Sequence, residues 1–166
     1  MSNDFQSGNL WGIDLGGTKV EGVILRSAHD PEVLYRHRLS TGAHLGYEHI
    51  VNQIANLVGH MKETAGLIPD HIGFATPGIR DPKNGTMKNC NSTALNGRFL
   101  KEDLEQKLSV RVTLANDANC FALQKHVWAW YGRNIRMPVW YLASSWAPEW
   151  EVGWLWMAVW SAGITV

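Results

Sequence analysis

The sequence predicts an α/β fold, in which helices flank a mixed β-sheet, for residues 1–123. Two β-rich runs joined by a short glycine turn open the chain, a long run with helical spacing follows, and shorter runs of both kinds then alternate. This alternation is typical of sheets covered by helices. Residues 124–166 differ in composition, because they hold every tryptophan except Trp11.

The first two β-rich runs, Leu10–Leu15 and Val20–Leu25, predict paired strands. The connection Gly16-Gly17-Thr18-Lys19 is too short for a crossover, so the pair is predicted to be an antiparallel hairpin. Val33–Arg38 predicts a third strand.

A helix is predicted from Tyr47 to Thr64, with Gly66 as its stop signal. Its apolar face would cover the sheet and comprises Ile50, Val51, Ile54, Leu57, Val58 and Met61. Ile72–Ala75 predicts a buried strand that ends at Pro77-Gly78. Leu100, Leu104 and Leu108 mark a short amphipathic helix, and Val110–Leu114 predicts the next strand.

The composition argues against two classes of partner. Fifteen basic residues balance fifteen acidic ones among 166, so the chain lacks the basic patch expected for nucleic acid or anionic lipid. The uncharged run Val152–Val166 is shorter than the ~20 residues that span a bilayer. Cys90 and Cys120 form no CxxC pair, and no secretion signal opens the chain. We therefore expect a cytoplasmic protein with small-molecule partners, no nucleic acid and no membrane partner.

The first candidate site is the turn Asp14-Leu15-Gly16-Gly17-Thr18-Lys19. Two glycines in a tight turn let backbone N–H groups approach an anion, and the Thr18 hydroxyl adds a donor. Asp14, at a strand end, suits a Mg²⁺ ion held through water. The turn therefore predicts a phosphate site, with an ordinary glycine hairpin as the alternative.

The second candidate site combines Gly73–Gly78 with the loop Asn89–Gly97. Pro77-Gly78 ends a buried strand where ligand hydroxyls can meet backbone amides, and Asn91 offers both a donor and an acceptor, as a polyol requires. The alternative is a β-turn in which asparagine is favoured for its tolerance of positive φ.

The third candidate site is Asn116-Asp117, within LANDANCFAL at residues 114–123. A carboxylate that follows a strand and begins a helix can accept a proton from a hydroxyl attacking a phosphoryl group. The alternative is that Asp117 is only a helix N-cap, which contributes about 1 kcal/mol.

Together the three motifs resemble the N-terminal lobe of the ROK sugar kinases, which have the actin-like (ribonuclease H-like) ATPase fold. The order DLGGTK, a strand ending in PG, the loop NCNSTALNG and then LANDANCFAL matches from Leu10 to Leu123. The resemblance implies transfer of the ATP γ-phosphate, with Mg²⁺, to a hydroxyl of glucose, fructose, N-acetylglucosamine or N-acetylmannosamine. It also implies a homodimer for the intact protein.

The resemblance further implies a role for each matching residue. Asp117 matches the catalytic base of the family, Asn91 and Asn116 its sugar-contacting asparagines, and Gly78 a backbone position of the sugar pocket. The first phosphate loop corresponds to Asp14, Gly16, Gly17, Thr18 and Lys19.

Residues 124–166 depart from the family pattern. ROK kinases continue with AEA, a second phosphate loop of the GTGVGGG type, a Glu and a His of the sugar site and a His/Cys zinc cluster, and none of these follows Leu123. We expect this segment to replace the C-terminal lobe, to have no native fold and no zinc site, and to leave the chain truncated and inactive.

The genetic code indicates a one-base deletion after Leu123. Trp and Met codons end in G, so a frame that begins one base earlier converts Ala147, Glu151 and Ala158 to glycine and Met157 to aspartate. The stretch from Ala147 then reads GTGVGGGLVVDG. At the seam, GCA GAA GCA for AEA becomes Gln124, Lys125 and His126 when its first G is lost.

Two other functions remain open from the sequence. One is a non-catalytic sugar-binding lobe, and the other is a lobe derived from a ROK regulator. The first strand begins close to Met1, which leaves no room for the helix-turn-helix of ROK repressors and favours the kinase.

Overall fold

The fold is known from a computed structural model that describes residues 8–27 and 32–117. The predicted out-of-frame segment and Cys120 lie outside these residues. The strands are β1 Leu10–Leu15, β2 Lys19–Leu25, β3 Val33–Ser40, β4 His71–Thr76, β5 Ile79–Arg80, β6 Met87–Lys88 and β7 Arg111–Asn116. The helices are α1 Tyr47–Ala65 and α2 Leu100–Leu108, and 3₁₀ turns lie at Ala43–Leu45 and Thr93–Leu95.

Five strands form one mixed sheet in the order β3-β2-β1-β4-β7. The first three strands are antiparallel neighbours, which confirms the predicted hairpin. β4 lies parallel to β1, and β7 lies parallel to β4. Parallel neighbours need crossover connections, and α1 and α2 supply them. The carboxyl ends of β1, β4 and β7 therefore meet at one edge of the sheet.

The two long helices bury their apolar stripes on the sheet. α1 packs against β2 and β3, and α2 packs against β7 and α1. Gly22 in β2 permits this close approach, because a Cβ there would lie 2.3 Å from the Met61 sulfur. The core includes the whole predicted face of α1, together with Trp11, Ile13, Phe74, Leu100 and Leu104.

The bounds of the last strand, β7, differ from those that the sequence predicts. The final strand is Arg111–Asn116 rather than Val110–Leu114, because its pairing with β4 continues to Thr76 opposite Asn116. At the end of α1, the prediction is confirmed: Gly66 has φ 64°, and its N–H donates to the Lys62 carbonyl at 3.0 Å.

The second candidate site contains a small hairpin of β5 and β6 that the sequence did not predict. The Asn96 side chain fixes the loop that follows, because it accepts from the Cys90 N–H at 2.9 Å and donates to the Cys90 carbonyl at 3.2 Å. Asn89 has φ 56°, the positive value that asparagine tolerates. Neither of the two long helices has the length and apolarity required to cross a membrane.

Candidate active site

The three candidate sites of the sequence meet at the carboxyl edge of the sheet. Asp14 is opposite Ala75 in β4, and Thr76 is opposite Asn116 in β7. Asp117 follows directly after β7 and is exposed. Parallel pairing therefore gathers side chains that are far apart in the sequence.

The glycine turn between β1 and β2 has free donors. The Gly16 N–H closes the turn on the Lys19 carbonyl at 2.9 Å. The N–H groups of Gly17 and Thr18 have no acceptor within residues 8–27 and 32–117. Adjacent unpaired N–H groups in a tight turn form a concave anion site, so the turn is suited to hold a phosphoryl group.

Thr41 braces this turn from the end of β3. Its hydroxyl donates to the Gly16 carbonyl at 2.8 Å, and its N–H donates to the Thr18 carbonyl at 3.0 Å. Thr41 is buried at 1% exposure. Thr41 is not among the residues predicted from the sequence, because no local pattern links it to a turn so far away in the chain.

The Asp14 carboxyl is destabilised in its charged form. Burial, together with the negative charges of Asp117 and Glu21, raises the pKa of Asp14 from 3.8 to about 6, although the positive charges of Lys19 and Arg38 act in the opposite direction. Two carboxylates that repel one another at a phosphate turn form an electrostatic arrangement that a divalent cation relieves. The oxygen donors of Asp14 and Asp117 are the type that Mg²⁺ prefers, so these residues fit the ion.

Glu21 is a buried carboxylate opposite Asp14 in the β1–β2 register. Arg36 contacts its Oε1 at 2.5 Å, and Arg38 contacts its Oε2 at 2.9 Å. Both arginines come from β3, so this ion-pair network joins the two strands beside the turn. Glu21 is not among the residues predicted from the sequence, because the residue pattern of β2 alone does not show that this charged position is buried.

Asn116 and Thr76 tie the ends of β4 and β7 to the Pro77-Gly78 turn. The Asn116 amide donates to the carbonyls of Thr76 at 3.4 Å and Gly78 at 3.3 Å. The Thr76 hydroxyl lies 2.9 Å from the Gly78 carbonyl and 3.2 Å from the Ala115 carbonyl. The Asn116 amide nitrogen is therefore directed toward the turn.

Close packing around Gly78 leaves no room for a side chain at this position. A Cβ at this position would lie 2.4 Å from the Cys90 sulfur and 2.6 Å from the Lys88 carbonyl oxygen. The strand end therefore packs directly on the loop that carries Asn91, whose side chain is exposed. Burial raises the pKa of the Cys90 thiol, which fits a packing role for that residue.

Residues 8–27 and 32–117 contain no cluster of three or more His, Cys, Asp or Glu side chains that could bind a metal ion. A cation at Asp14 would therefore take other ligands from water or from a bound phosphate, as Mg²⁺ commonly does.

Comparison with known proteins decides the family. The ROK family profile matches residues 10–135. The chain belongs to the ROK family. Over 115 residues it is 35% identical to the N-acetyl-D-glucosamine kinase of Aliivibrio salmonicida and 36% identical to that of Vibrio cholerae. Each alignment covers 69% of this chain, which spans only 37% of the length of either relative.

Solved ROK structures share the fold. The ROK hexokinase of Thermus thermophilus superposes with a TM-score of 0.60 at 26% identity, over 72% of this chain and 38% of that one. A ROK glucokinase from Streptomyces griseus, solved with glucose and AMPPNP, gives 0.61 at 26% identity over 72% and 36%. The predicted fold class, the mixed sheet of the N-terminal lobe of ROK sugar kinases, is confirmed.

Proposed function

We propose that the described residues are the phosphate-binding and sugar-binding part of an ATP-dependent kinase for a hexose or N-acetylhexosamine hydroxyl. The observation that carries the proposal is the electrostatic interaction of Asp14 with Asp117 beside a turn that has two N–H groups without an acceptor among the described residues. The named activities of the ROK relatives support this substrate class, with N-acetylglucosamine as the first sugar to test.

The phosphate turn binds the nucleotide in this proposal. The N–H groups of Gly17 and Thr18 donate to phosphoryl oxygens, and the Lys19 ammonium adds positive charge beside them. Asp14 holds the Mg²⁺ ion, which supplies neutralisation of phosphate charge when bound. Gly16 contributes the tight turn itself through its bond to Lys19.

Asp117 accepts the proton of the attacking sugar hydroxyl. It is exposed at the edge where Asp14 would place the nucleotide phosphates, so a sugar hydroxyl that binds at this edge would have a base beside it. Asn91, Asn116 and the backbone at Gly78 orient the sugar. The Asn91 side chain suits this role because it is exposed.

We further propose that the 166-residue chain has no kinase turnover on its own. Phosphoryl transfer requires the nucleotide to be clamped and the cleft to be closed over it. In this proposal residues 1–123 are the ROK lobe and residues 124–166 are the product of a one-base deletion. The restored protein is the expected cytoplasmic homodimer.

Binding and turnover separate the candidate functions. Isothermal titration of the chain with MgATP and with N-acetylglucosamine is expected to give heat for both, while a coupled ADP assay gives no turnover. Heat for the sugar alone would favour the non-catalytic sugar-binding lobe. Turnover on any hexose would overturn the proposed inactivity, and heat for neither ligand would overturn the binding function.

Nucleotide sequencing tests the proposed deletion. The gene is resequenced across the codons for Ala122 to Val127 and beyond the stop codon. One restored base is expected to open a frame through GTGVGGG to a His/Cys cluster, and Asp117→Asn in that restored enzyme is expected to lose nearly all turnover while it still binds MgATP. If sequencing confirms the reading frame that encodes residues 124–166 and finds no such continuation in the restored frame, the deletion is refuted.

A further inference from the structure

Ser92 is a buried polar residue that the proposed chemistry has not used. It follows Asn91 in the loop of residues 89–92, and its exposure is only 8%. Its hydroxyl has no hydrogen-bond partner within the described part of the chain. Buried hydroxyls are almost always paired, because a desolvated hydroxyl without a partner costs folding free energy. An unpaired one therefore calls for a functional explanation.

The hydroxyl is not needed to hold its own loop. Asn96 fixes the Cys90 N–H and carbonyl, and the Ser92 carbonyl accepts from the Leu95 N–H at 3.0 Å. All of these bonds use backbone atoms or the Asn96 amide. The loop conformation is therefore set without the Ser92 side chain, which leaves the Oγ–H available as a donor.

The hydroxyl lies against the phosphate turn. A Cβ built on Gly17 would come within 3.3 Å of the Ser92 Oγ, so the Ser92 hydroxyl lies beside the turn and a side chain at position 17 would crowd it. The same turn carries the N–H groups of Gly17 and Thr18, for which residues 8–27 and 32–117 supply no acceptor. Hydroxyl and N–H donors that lie close together are suited to an acceptor that carries negative charge.

We propose that the Ser92 Oγ donates a hydrogen bond to the phosphoryl group held by the Gly16–Lys19 turn. The proposal rests on the proposed function, since it requires that turn to bind phosphate. It gives the loop that carries Asn91 a second task, because the loop then contacts the phosphate as well as the sugar. A bound phosphoryl oxygen supplies the partner that Ser92 lacks among residues 8–27 and 32–117.

The test uses the full 166-residue chain with Ser92→Ala, and Thr93→Val as the matched control that removes an exposed hydroxyl from the next position. Titration calorimetry measures MgATP, inorganic pyrophosphate and N-acetylglucosamine. Ser92→Ala is expected to weaken MgATP and pyrophosphate about five- to tenfold, the value of one hydrogen bond, and to leave the sugar affinity within about twofold. Thr93→Val is expected to change none of the three.

Urea unfolding supplies a readout without ligand. Because the described residues give the hydroxyl no hydrogen-bond partner, Ser92→Ala is expected to unfold at the same urea concentration as wild type or a higher one. A lower midpoint, an unchanged phosphate affinity or a selective loss of sugar affinity would each overturn the role of Ser92. If the wild-type protein binds neither MgATP nor pyrophosphate, the proposed function is overturned. The proposed Ser92 contact then falls as well, because it requires a phosphate at the turn.

Discussion

The Thr41 hydroxyl donates a 2.8 Å hydrogen bond to the carbonyl oxygen of Gly16, the first glycine of the turn for which phosphate binding is proposed. The Thr41 N–H holds the other side of the turn through the Thr18 carbonyl. The carbonyls of Gly16 and Thr18 are therefore directed toward Thr41. The N–H groups of Gly17 and Thr18 remain available for an anion.

Thr41→Val is expected to weaken this arrangement. The substitution keeps the shape of the side chain but leaves the Gly16 carbonyl without its donor, which costs about 1 kcal/mol of unfolding free energy. MgATP affinity is expected to fall with it, because the turn is held less firmly. Urea unfolding and calorimetry measure the two effects. Thr64→Val, at an exposed position of α1, is the control and should change neither.

The raised pKa of Asp14 predicts a pH-dependent stability. A carboxyl whose folded-state pKa lies near 6 binds its proton more tightly when folded, so its contribution is complete below about pH 4 and is lost as the pH rises through 6. Asp14→Asn is therefore expected to melt roughly 2–5 °C above wild type at pH 7.5, and the difference should vanish near pH 4.

The same two proteins test whether Asp14 binds Mg²⁺. Mg²⁺ binds the ionised carboxylate, so the wild-type affinity for Mg²⁺ is expected to rise as the pH passes 6, and Asp14→Asn should lose it. Asp70→Asn, at an exposed position before β4, serves as the control for charge alone. A wild-type chain that is more stable than Asp14→Asn at pH 7.5 without Mg²⁺ would contradict the raised pKa.

Because Glu21 is buried, removal of its partners Arg36 and Arg38 is expected to lower the free energy of unfolding strongly. The double variant Arg36→Ala/Arg38→Ala leaves the carboxylate buried without a cation, and we expect a loss of about 3 kcal/mol in unfolding free energy. Arg26→Ala, which breaks the exposed pair with Glu32, should cost less than about 1 kcal/mol. Similar losses in both variants would argue against the buried network.

Two glycine substitutions are expected to act in opposite directions. Gly78→Ala forces a Cβ into the Cys90 sulfur and the Lys88 backbone, and should destabilise the chain by about 2 kcal/mol or more. Gly59→Ala, in α1 with open space around it, should stabilise by up to about 1 kcal/mol because alanine favours the helix. Thermal unfolding of the two variants compares them directly, and a tolerated Gly78→Ala would refute the tight packing.

The sequence alone predicted the structural features that have a local signal in the chain. The apolar spacing of α1, the stop at Gly66 and the glycine hairpin each depend on residues close together in the chain, and all three are confirmed. The end of β7 was placed too early, because its last pairs depend on register with β4 rather than on the residues of β7 alone.

The parts of the site that were missed depend on distant partners. Thr41 matters only because β3 ends beside the turn, and Glu21 is stable in its buried position only because Arg36 and Arg38 lie on the next strand. Single-sequence patterns record the character of a residue but not its neighbour across a sheet. The motif residues were found because their types and order resemble the family, and their roles stay predictions.

The order of strands along the chain has a consequence for folding. β1, β2 and β3 are consecutive antiparallel neighbours, so the phosphate turn and its Thr41 brace form between segments that are near one another in sequence. Asp117 reaches the same edge only after the α1 and α2 crossovers, and contacts of long sequence separation cost more chain entropy to close. We therefore expect the anion-binding half of the site to assemble early, during synthesis of the first strands, and its proton acceptor to arrive last.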